Sequence, residues 1–321
     1  MIFINKATYR KMINPIYRST PYPFLKWAGG KTRLLPILQN EYMPIFTNNK
    51  IETYIEPFVG GGAVFFDIIK KFHVKNIYLS DINPEIAIAY MVIKVEVEKL
   101  ISQLSEMSDY YLSLDKDERK VYYYDRRSEY NTFDKSKITR PYNSTWVKRA
   151  ALTIFLNKTC FNGLYRLNKK KYQFNVPIGD YKEPRILEEK NLIAISKCLQ
   201  STNVSIESGD FSHILPYVNS KTFIYYDPPY RPISKTSNFT SYFSTFKDED
   251  QHHLAKVFRK AHKMGAFQLL SVSDPTIFTE DPFFDNLYSD FNIKRVMAPR
   301  SISAKGESRK KIRELVVTSF A

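Results

Sequence analysis

Three consecutive glycines, Gly60-Gly61-Gly62, set the tightest constraint on what this chain can fold into. Glycine is scarce, ten of 321 residues, yet half of the ten fall in two short loops, Gly29-Gly30 and Gly60-Gly61-Gly62. A residue this costly in chain entropy is kept where the backbone needs its freedom. The triple glycine follows Tyr54-Ile55-Glu56-Pro57-Phe58, which reads as a short strand, and precedes Ala63 to Phe72, whose apolar residues recur at helical spacing. Asn76 to Asp81 then reads as a second strand ending on an acid, and Pro84 opens another helix. Strand, helix, strand, helix is the opening of a parallel, doubly wound α/β sheet.

The rhythm stops between about residues 96 and 189, a stretch rich in charge and tyrosine and helical in parts. It resumes at Val204-Ser205-Ile206, Thr222 to Tyr226, Ala266 to Ser271, Ile293 to Val296 and Glu314 to Ser319. One mostly parallel, seven-stranded sheet domain interrupted by a basic insertion is the expected architecture, with no internal repeat. At 43% hydrophobic and 25% charged residues the chain has material for a real core. No apolar run approaches the roughly 18 residues of a membrane span, and the N-terminus lacks a basic-then-apolar signal pattern. The chain reads as soluble and intracellular, with no membrane partner.

Charge separates the insertion from the rest. The net charge is +15. Between Lys135 and Gly179 stand Lys135, Lys137, Arg140, Lys148, Arg149, Lys158, Arg166, Lys169, Lys170 and Lys171, and no acid. Tyr142, Trp146, Phe155, Phe161, Tyr165 and Tyr172 are interleaved with them, and a second cluster (Arg300, Lys305, Arg309, Lys310, Lys311) faces only Glu307. Solvated surfaces normally mix both signs, so the pattern reads as a nucleic-acid footprint.

Two sites carry chemistry. Asp81 stands at the end of the strand that follows the glycine turn, where a carboxylate can accept both hydroxyls of a ribose; turn and acid together fit an adenosine-type cofactor. A tight strand-helix turn with nothing bound is the other reading. The second site is Asp227-Pro228-Pro229-Tyr230, directly after an apolar strand. Two prolines fix the backbone and leave carbonyls without N–H groups. A carboxylate beside those carbonyls suits a planar NH₂ group, which needs two acceptors, and Tyr230 offers a ring to stack on a flat base. Such a site can aim an amine lone pair at an electrophile by positioning and electrostatics alone, with no metal. Gly30-Lys31-Thr32 mimics a phosphate loop, but Leu25 stands where the first glycine belongs. Cys160 and Cys198 are too few for a disulfide framework and read as buried thiols. Gln251-His252-His253 opens a helix as a solvated face.

These residues resemble a known family, the Dam-type DNA adenine-N6 methyltransferases, close to restriction-modification enzymes that protect GATC. The resemblance covers about residues 21–320. It rests on Phe24-Leu25-Lys26-Trp27-Ala28-Gly29-Gly30-Lys31, Glu56-Pro57-Phe58-Val59-Gly60-Gly61-Gly62, Ser80-Asp81-Ile82-Asn83 and Asp227-Pro228-Pro229-Tyr230. It continues through Phe161-Asn162-Gly163-Leu164-Tyr165-Arg166, Phe174-Asn175-Val176-Pro177, Asn238-Phe239-Thr240-Ser241-Tyr242 and Arg300-Ser301-Ile302-Ser303.

The resemblance implies a methyltransferase sheet over residues 21–95 and 190–321 that binds S-adenosyl-L-methionine. It also implies an inserted target-recognition domain, helical with a hairpin, over 96–189, and it leaves residues 1–20 as an extension without counterpart. Trp27, Lys31, Phe58, Gly60, Gly62, Asp81, Asp210, Phe211 and Asp227 would touch the cofactor, and Asp227, Pro228, Pro229 and Tyr230 would be catalytic. Double-stranded DNA would be contacted by Lys26 at a first guanine and by Arg166 at a second. Leu164 and Pro177 would meet other bases, and Phe161 and Asn162 would wedge beside an extruded adenine. The implied reaction is methylation of adenine N6, in GATC, in a bacterial or phage-like cytoplasm, with a cognate restriction endonuclease as functional counterpart. The rivals are an amino-methyltransferase acting on cytosine N4 or on RNA adenine, and a non-catalytic DNA-binding regulator on the same scaffold. Asp227, where cytosine N4 enzymes usually show serine, disfavours the first; the intact glycine turn, Asp81 and Asp227 disfavour the second. A nuclease would need clustered carboxylates.

Overall fold

The structure is a computed structural model that describes residues 20–27, 29–133, 142–168, 171, 173–231, 246–274, 276, 281–298 and 312–321. Several residues singled out above lie outside these: the extension through residue 19, Ala28, Lys135, Lys137, Arg140, Lys169, Lys170, Tyr172, Asn238 to Tyr242, Arg300 to Ser303, Lys305 and Arg309 to Lys311.

Seven strands make one sheet: β1 (Thr53–Glu56), β2 (Asn76–Asp81), β3 (Asn203–Ser208), β4 (Thr222–Tyr226), β5 (Phe267–Ser273), β6 (Asn292–Ala298) and β7 (Ile312–Thr318), in spatial order β3-β2-β1-β4-β5-β7-β6. The pairs β3-β2, β2-β1, β1-β4 and β4-β5 are parallel, and β7 runs antiparallel to both its neighbours. The α/β class, the strand count and the mostly parallel sense are as the sequence predicts.

Strands β1 and β4 are buried along their whole length, because helices cover both faces of the sheet. On β4, Phe223 and Tyr225 enter one core while Ile224 and Tyr226 enter the other. Helices α1 (Leu35–Asn48), α2 (Ala63–Lys71) and α3 (Pro84–Ser113) belong to the first face. Pro84 and the Asn83 side chain, which accepts the Glu85 N–H at 3.1 Å, start α3.

The insertion contributes α4 (Lys116–Thr132), α5 (Thr145–Thr159) and a hairpin, and α6 (Glu189–Ser201) leads back into the sheet. Among the described residues it has no core of its own. Leu100, Leu104, Trp146, Leu152, Phe155, Tyr165 and Phe174 share one apolar cluster with Tyr54, Ile77 and Leu79 of the sheet. Helix α3 crosses residue 95 and breaks its helical geometry only at Glu96 (φ −138°, ψ 46°). Helix α7 (Asp248–Lys263) and the short α8 (Phe283–Leu287) cover the second face.

Three expectations are corrected. Strand β1 ends at Glu56, so Phe58 belongs to the glycine turn. Gln251 is buried in α7, although His252 and His253 are exposed. The single-sign stretch is partly structural. Arg149 is 3% exposed and grips Glu85 at 2.8 and 2.6 Å, and Lys158 is 8% exposed and meets Glu188 at 2.5 Å. Trp146, Phe155 and Tyr165 are core residues rather than an exposed stacking surface. Cys160 and Cys198 are buried and not disulfide-bonded.

Candidate active site

The order of the sheet reverses between β1 and β4, since one side continues to β2 and the other to β5. In such sheets the crevice at the carboxyl ends of the two central strands is where ligands bind. Here that edge gathers the glycine turn after β1, Asp81 at the end of β2, Asp210 after β3 and Asp227 after β4.

The glycine turn is shaped by contacts that tolerate no side chain. Gly60 has φ +45°, and a Cβ there would stand 2.6 Å from Cδ1 of Trp27. Gly62 has φ +72°, and its Cβ would stand 2.3 Å from the Tyr90 hydroxyl. Asp81 Oδ2 accepts the Gly60 N–H at 3.0 Å and its Oδ1 accepts the Asn83 N–H at 2.9 Å. Burial pushes the Asp81 carboxyl up to about 6 against the pull of those two donors. Each carboxylate oxygen keeps a second lone pair for a ligand hydroxyl. Glu56, at the end of β1, is buried and held well above the carboxylate range by desolvation, although it accepts the Tyr54 hydroxyl at 2.6 Å.

Past β3, Asp210 caps the short turn Phe211–Tyr217 by accepting the Ser212 N–H at 2.9 Å. Phe211 stacks on Phe58 with ring centroids 5.4 Å apart, and both rings meet Phe246. The structure therefore brings Phe58, Asp210 and Phe211 together beside the glycine turn.

At the end of β4, Asp227 is joined to Lys31, which lies in the turn Lys31–Arg33 and is 4% exposed. The Lys31 ammonium donates to Asp227, to the Gly29 carbonyl at 3.1 Å and to the Tyr230 hydroxyl at 3.3 Å. Burial opposes the lysine's charge, but Asp227, Tyr230 and Glu314 outweigh it and hold Lys31 well above the usual range. Burial pushes the Asp227 carboxyl up to about 6, with Lys31 pulling the other way. At neutral pH the pair is ionised. Pro228 and Pro229 are buried behind it.

The hairpin lies between Cys160 and Gly179. Its arms are joined by Asn175 N–H to the Arg166 carbonyl at 3.1 Å and by Asn168 N–H to the Gln173 carbonyl at 2.8 Å. Phe161 is 44% exposed, and Arg166 and Pro177 are also exposed. Asn162 takes the left-handed conformation (φ 55°), which asparagine tolerates better than most residues. Leu164 is half-buried against the core. Arg166 Nε donates to the Asn175 side chain at 2.7 Å, which fixes the plane of the guanidinium.

Two contacts tie hairpin to crevice. Trp27 packs on the Tyr165 ring at 5.5 Å while covering Gly60. Asn157 of α5 accepts the Lys26 N–H at 2.8 Å and donates to the Lys26 carbonyl at 2.8 Å and the Gly163 carbonyl at 3.0 Å. Lys26 is thereby held against the Phe161–Gly163 turn. Asn157 and Glu314 escaped the sequence reading: an amide inside a helix and a lone acid inside an apolar strand are the only signals they leave.

The chain is similar to known proteins over most of its length. The family model of the D12 class N6 adenine-specific DNA methyltransferases matches residues 27–302. The type II methyltransferase M.MjaIII of Methanocaldococcus jannaschii is 47% identical over 300 residues, covering 93% of this chain and 99% of that one. The type II methyltransferase M1.LlaDCHI of Lactococcus lactis is 38% identical, covering 93% and 95%. The DNA adenine methylase of Haemophilus influenzae is 32% identical, covering 92% of each chain.

Proposed function

The chain belongs to the D12 class N6 adenine-specific DNA methyltransferase family, and from that premise we propose that it methylates N6 of an adenine displaced from duplex DNA, within GATC, using S-adenosyl-L-methionine. The observation that carries the reading is Asp227, ionised against buried Lys31 at the carboxyl end of β4, with two prolines and a tyrosine behind it.

The residues at the sheet edge fit the cofactor. A turn whose Cβ positions are filled by Trp27 and Tyr90 accepts only backbone beside a ligand, and Asp81 offers acceptors for ribose hydroxyls. Trp27, Lys31, Phe58, Gly60, Gly62, Asp81, Asp210, Phe211 and Asp227 are proposed to hold it, Phe58 and Phe211 supplying the apolar wall for its adenine. When bound, it supplies an activated methyl group. Asp227 and the Pro228 carbonyl accept the two hydrogens of the target amine, turning the nitrogen lone pair out of the ring plane, while Pro229 stiffens the turn and Tyr230 faces the base. No strong base is needed, because the proton is lost after the nitrogen has become cationic, and Asp227 is there to take it.

Residues 96–189 are proposed as the recognition region, serving the catalytic unit of 21–95 and 190–321. Arg166 and Lys26 would each read a guanine, and an arginine fork on O6 and N7 is worth about 1–3 kcal/mol of discrimination. Leu164 and Pro177 would meet other bases. Phe161 and Asn162 would fill the space of the displaced adenine, at an unstacking cost of a few kcal/mol. No helix among the described residues is long and apolar enough to cross a membrane, and a cytoplasmic place beside DNA, with a cognate restriction endonuclease as counterpart, goes with this reading.

The test is transfer of tritiated methyl from S-adenosyl-L-methionine into two duplexes, one with GATC and one with GTAC. Label recovered as N6-methyladenine from the first alone is the expected result. Equal label in both removes the GATC specificity, and DNA binding without label in either removes the catalytic reading.

A further inference from the structure

One acid in the network around Lys31 has no part in the chemistry described so far. Glu314 stands in the middle of β7, between Ser273 of β5 and Val296 of β6, and is 4% exposed. Its Oε1 accepts the Tyr230 hydroxyl at 2.5 Å across 84 residues of chain. Its Oε2 is buried with no hydrogen-bond partner among the described residues. Beside Leu315, Val316 and Val317, all buried, a carboxyl adds nothing to the packing of the strand.

What the carboxyl does is hold a ring. Pro228 and Pro229 set the backbone leading to Tyr230, and the Glu314 carboxyl sets the far end of its side chain. The hydroxyl between them also stands 3.3 Å from Lys31 Nζ, and the ammonium lies 4.9 Å from the ring centroid. The lysine is already committed to Asp227 and Gly29. Without an acceptor on β7, the part-buried hydroxyl has Asp227, bound to the same lysine, as the next acid in the network.

We propose that Glu314 is a positioning residue that fixes Tyr230 against the target base and keeps its hydroxyl away from Asp227. The proposal rests on the reading of Asp227 to Tyr230 as the amine-binding site. It makes the effect of Glu314 conditional on one oxygen atom, the hydroxyl of Tyr230, and a merely structural role would not depend on it.

The experiment is a double-mutant cycle on kcat and on KM for GATC duplex, using Glu314→Ala, Tyr230→Phe and the pair, with Glu314→Gln as the conservative variant and thermal unfolding of each as a control. Glu314→Ala is expected to lower kcat about ten- to a hundred-fold, within the range that coupling between contacting residues spans, with KM for DNA within about two-fold. Glu314→Gln, which keeps a carbonyl oxygen for the hydroxyl, restores most of the loss. In the Tyr230→Phe background the alanine substitution costs little further. Equal penalties in both backgrounds, or an unchanged kcat in Glu314→Ala, overturn the proposal while leaving the amine site intact. A wild-type protein that methylates no adenine overturns the reading beneath it.

Discussion

Buried Lys31 and half-buried Asp227 form an ion pair across 196 residues of chain, joining the loop before α1 to the carboxyl end of β4. On the proposed reading the ionised carboxyl is the stronger acceptor for the amine hydrogen and the form that can take its proton, and burial has raised it to about 6. Methyl transfer should therefore fall off below about pH 6, as Asp227 takes up a proton. Lys31→Met removes the cation that holds the carboxyl down, so the acid limb should move toward higher pH. A profile of kcat from pH 5 to 8 decides it, and an acid limb at the same place in both proteins would contradict the pairing's role.

Asp81 makes a second pH-dependent statement, this time about stability. Its folded value of about 6 lies above the roughly 3.9 of an unfolded aspartate. Such a group contributes stability that is full below the unfolded value and is lost as pH rises through the folded one. Relative to Asp81→Asn, the cofactor-free wild type should gain stability as pH drops from about 7 to about 4. At pH 7.5 the same variant should bind S-adenosyl-L-methionine at least about ten-fold more weakly, since hydrogen bonds to charged groups contribute about 1.5–3 kcal/mol. Thermal melts across pH and calorimetric titration read the two effects separately.

Arg166 and Asn175 should separate reading from aiming. Arg166→Ala should erase discrimination at one guanine of the site, an effect of about 1–3 kcal/mol. Asn175→Ala keeps the guanidinium but releases its Nε, so discrimination at that same position should weaken without vanishing. Relative kcat/KM over all single-base variants of GATC gives the profile; loss at different positions in the two variants would break the link.

Arg149 belongs to the same basic stretch and should behave in the opposite way. Its guanidinium is bidentate to Glu85 and lies 3.5 Å from the centroid of the Tyr130 ring. Breaking a buried pair from one side costs about 3–5 kcal/mol, so Arg149→Met should be markedly less stable. The dependence of DNA affinity on salt counts phosphate contacts, and its slope should not change. A shallower slope would return Arg149 to the interface.

The strands, the glycine turn, Asp81 and Asp227 were legible because each is a local pattern: an apolar run, a glycine turn, an acid at a strand end; Asp210 came only with the family resemblance. What was not legible is pairing at a distance. Arg149 and Lys158 look like free charge until Glu85 and Glu188 are seen beside them, and each acid lies outside the window in which the bases were counted. Tyr165 has the composition of a stacking residue but lies beneath Trp27, with its hydroxyl 3.2 Å from that of Tyr130. Asn157 joins Lys26 to Gly163 across 131 residues, and Glu314 meets Tyr230 across 84; no periodicity encodes either contact.

The core shared by the sheet and the insertion limits how such a protein can change its target. Because α5 packs into that core and Asn157 laces Lys26 to the hairpin turn, residues 96–189 are not self-contained. A chimera cut at those borders would divide the apolar cluster and the Glu85–Arg149 pair between two parents. On the proposed reading, new specificity is open instead to single replacements along the hairpin's exposed rim, such as at Phe161, Arg166 and Pro177, where a side chain can change without disturbing the scaffold.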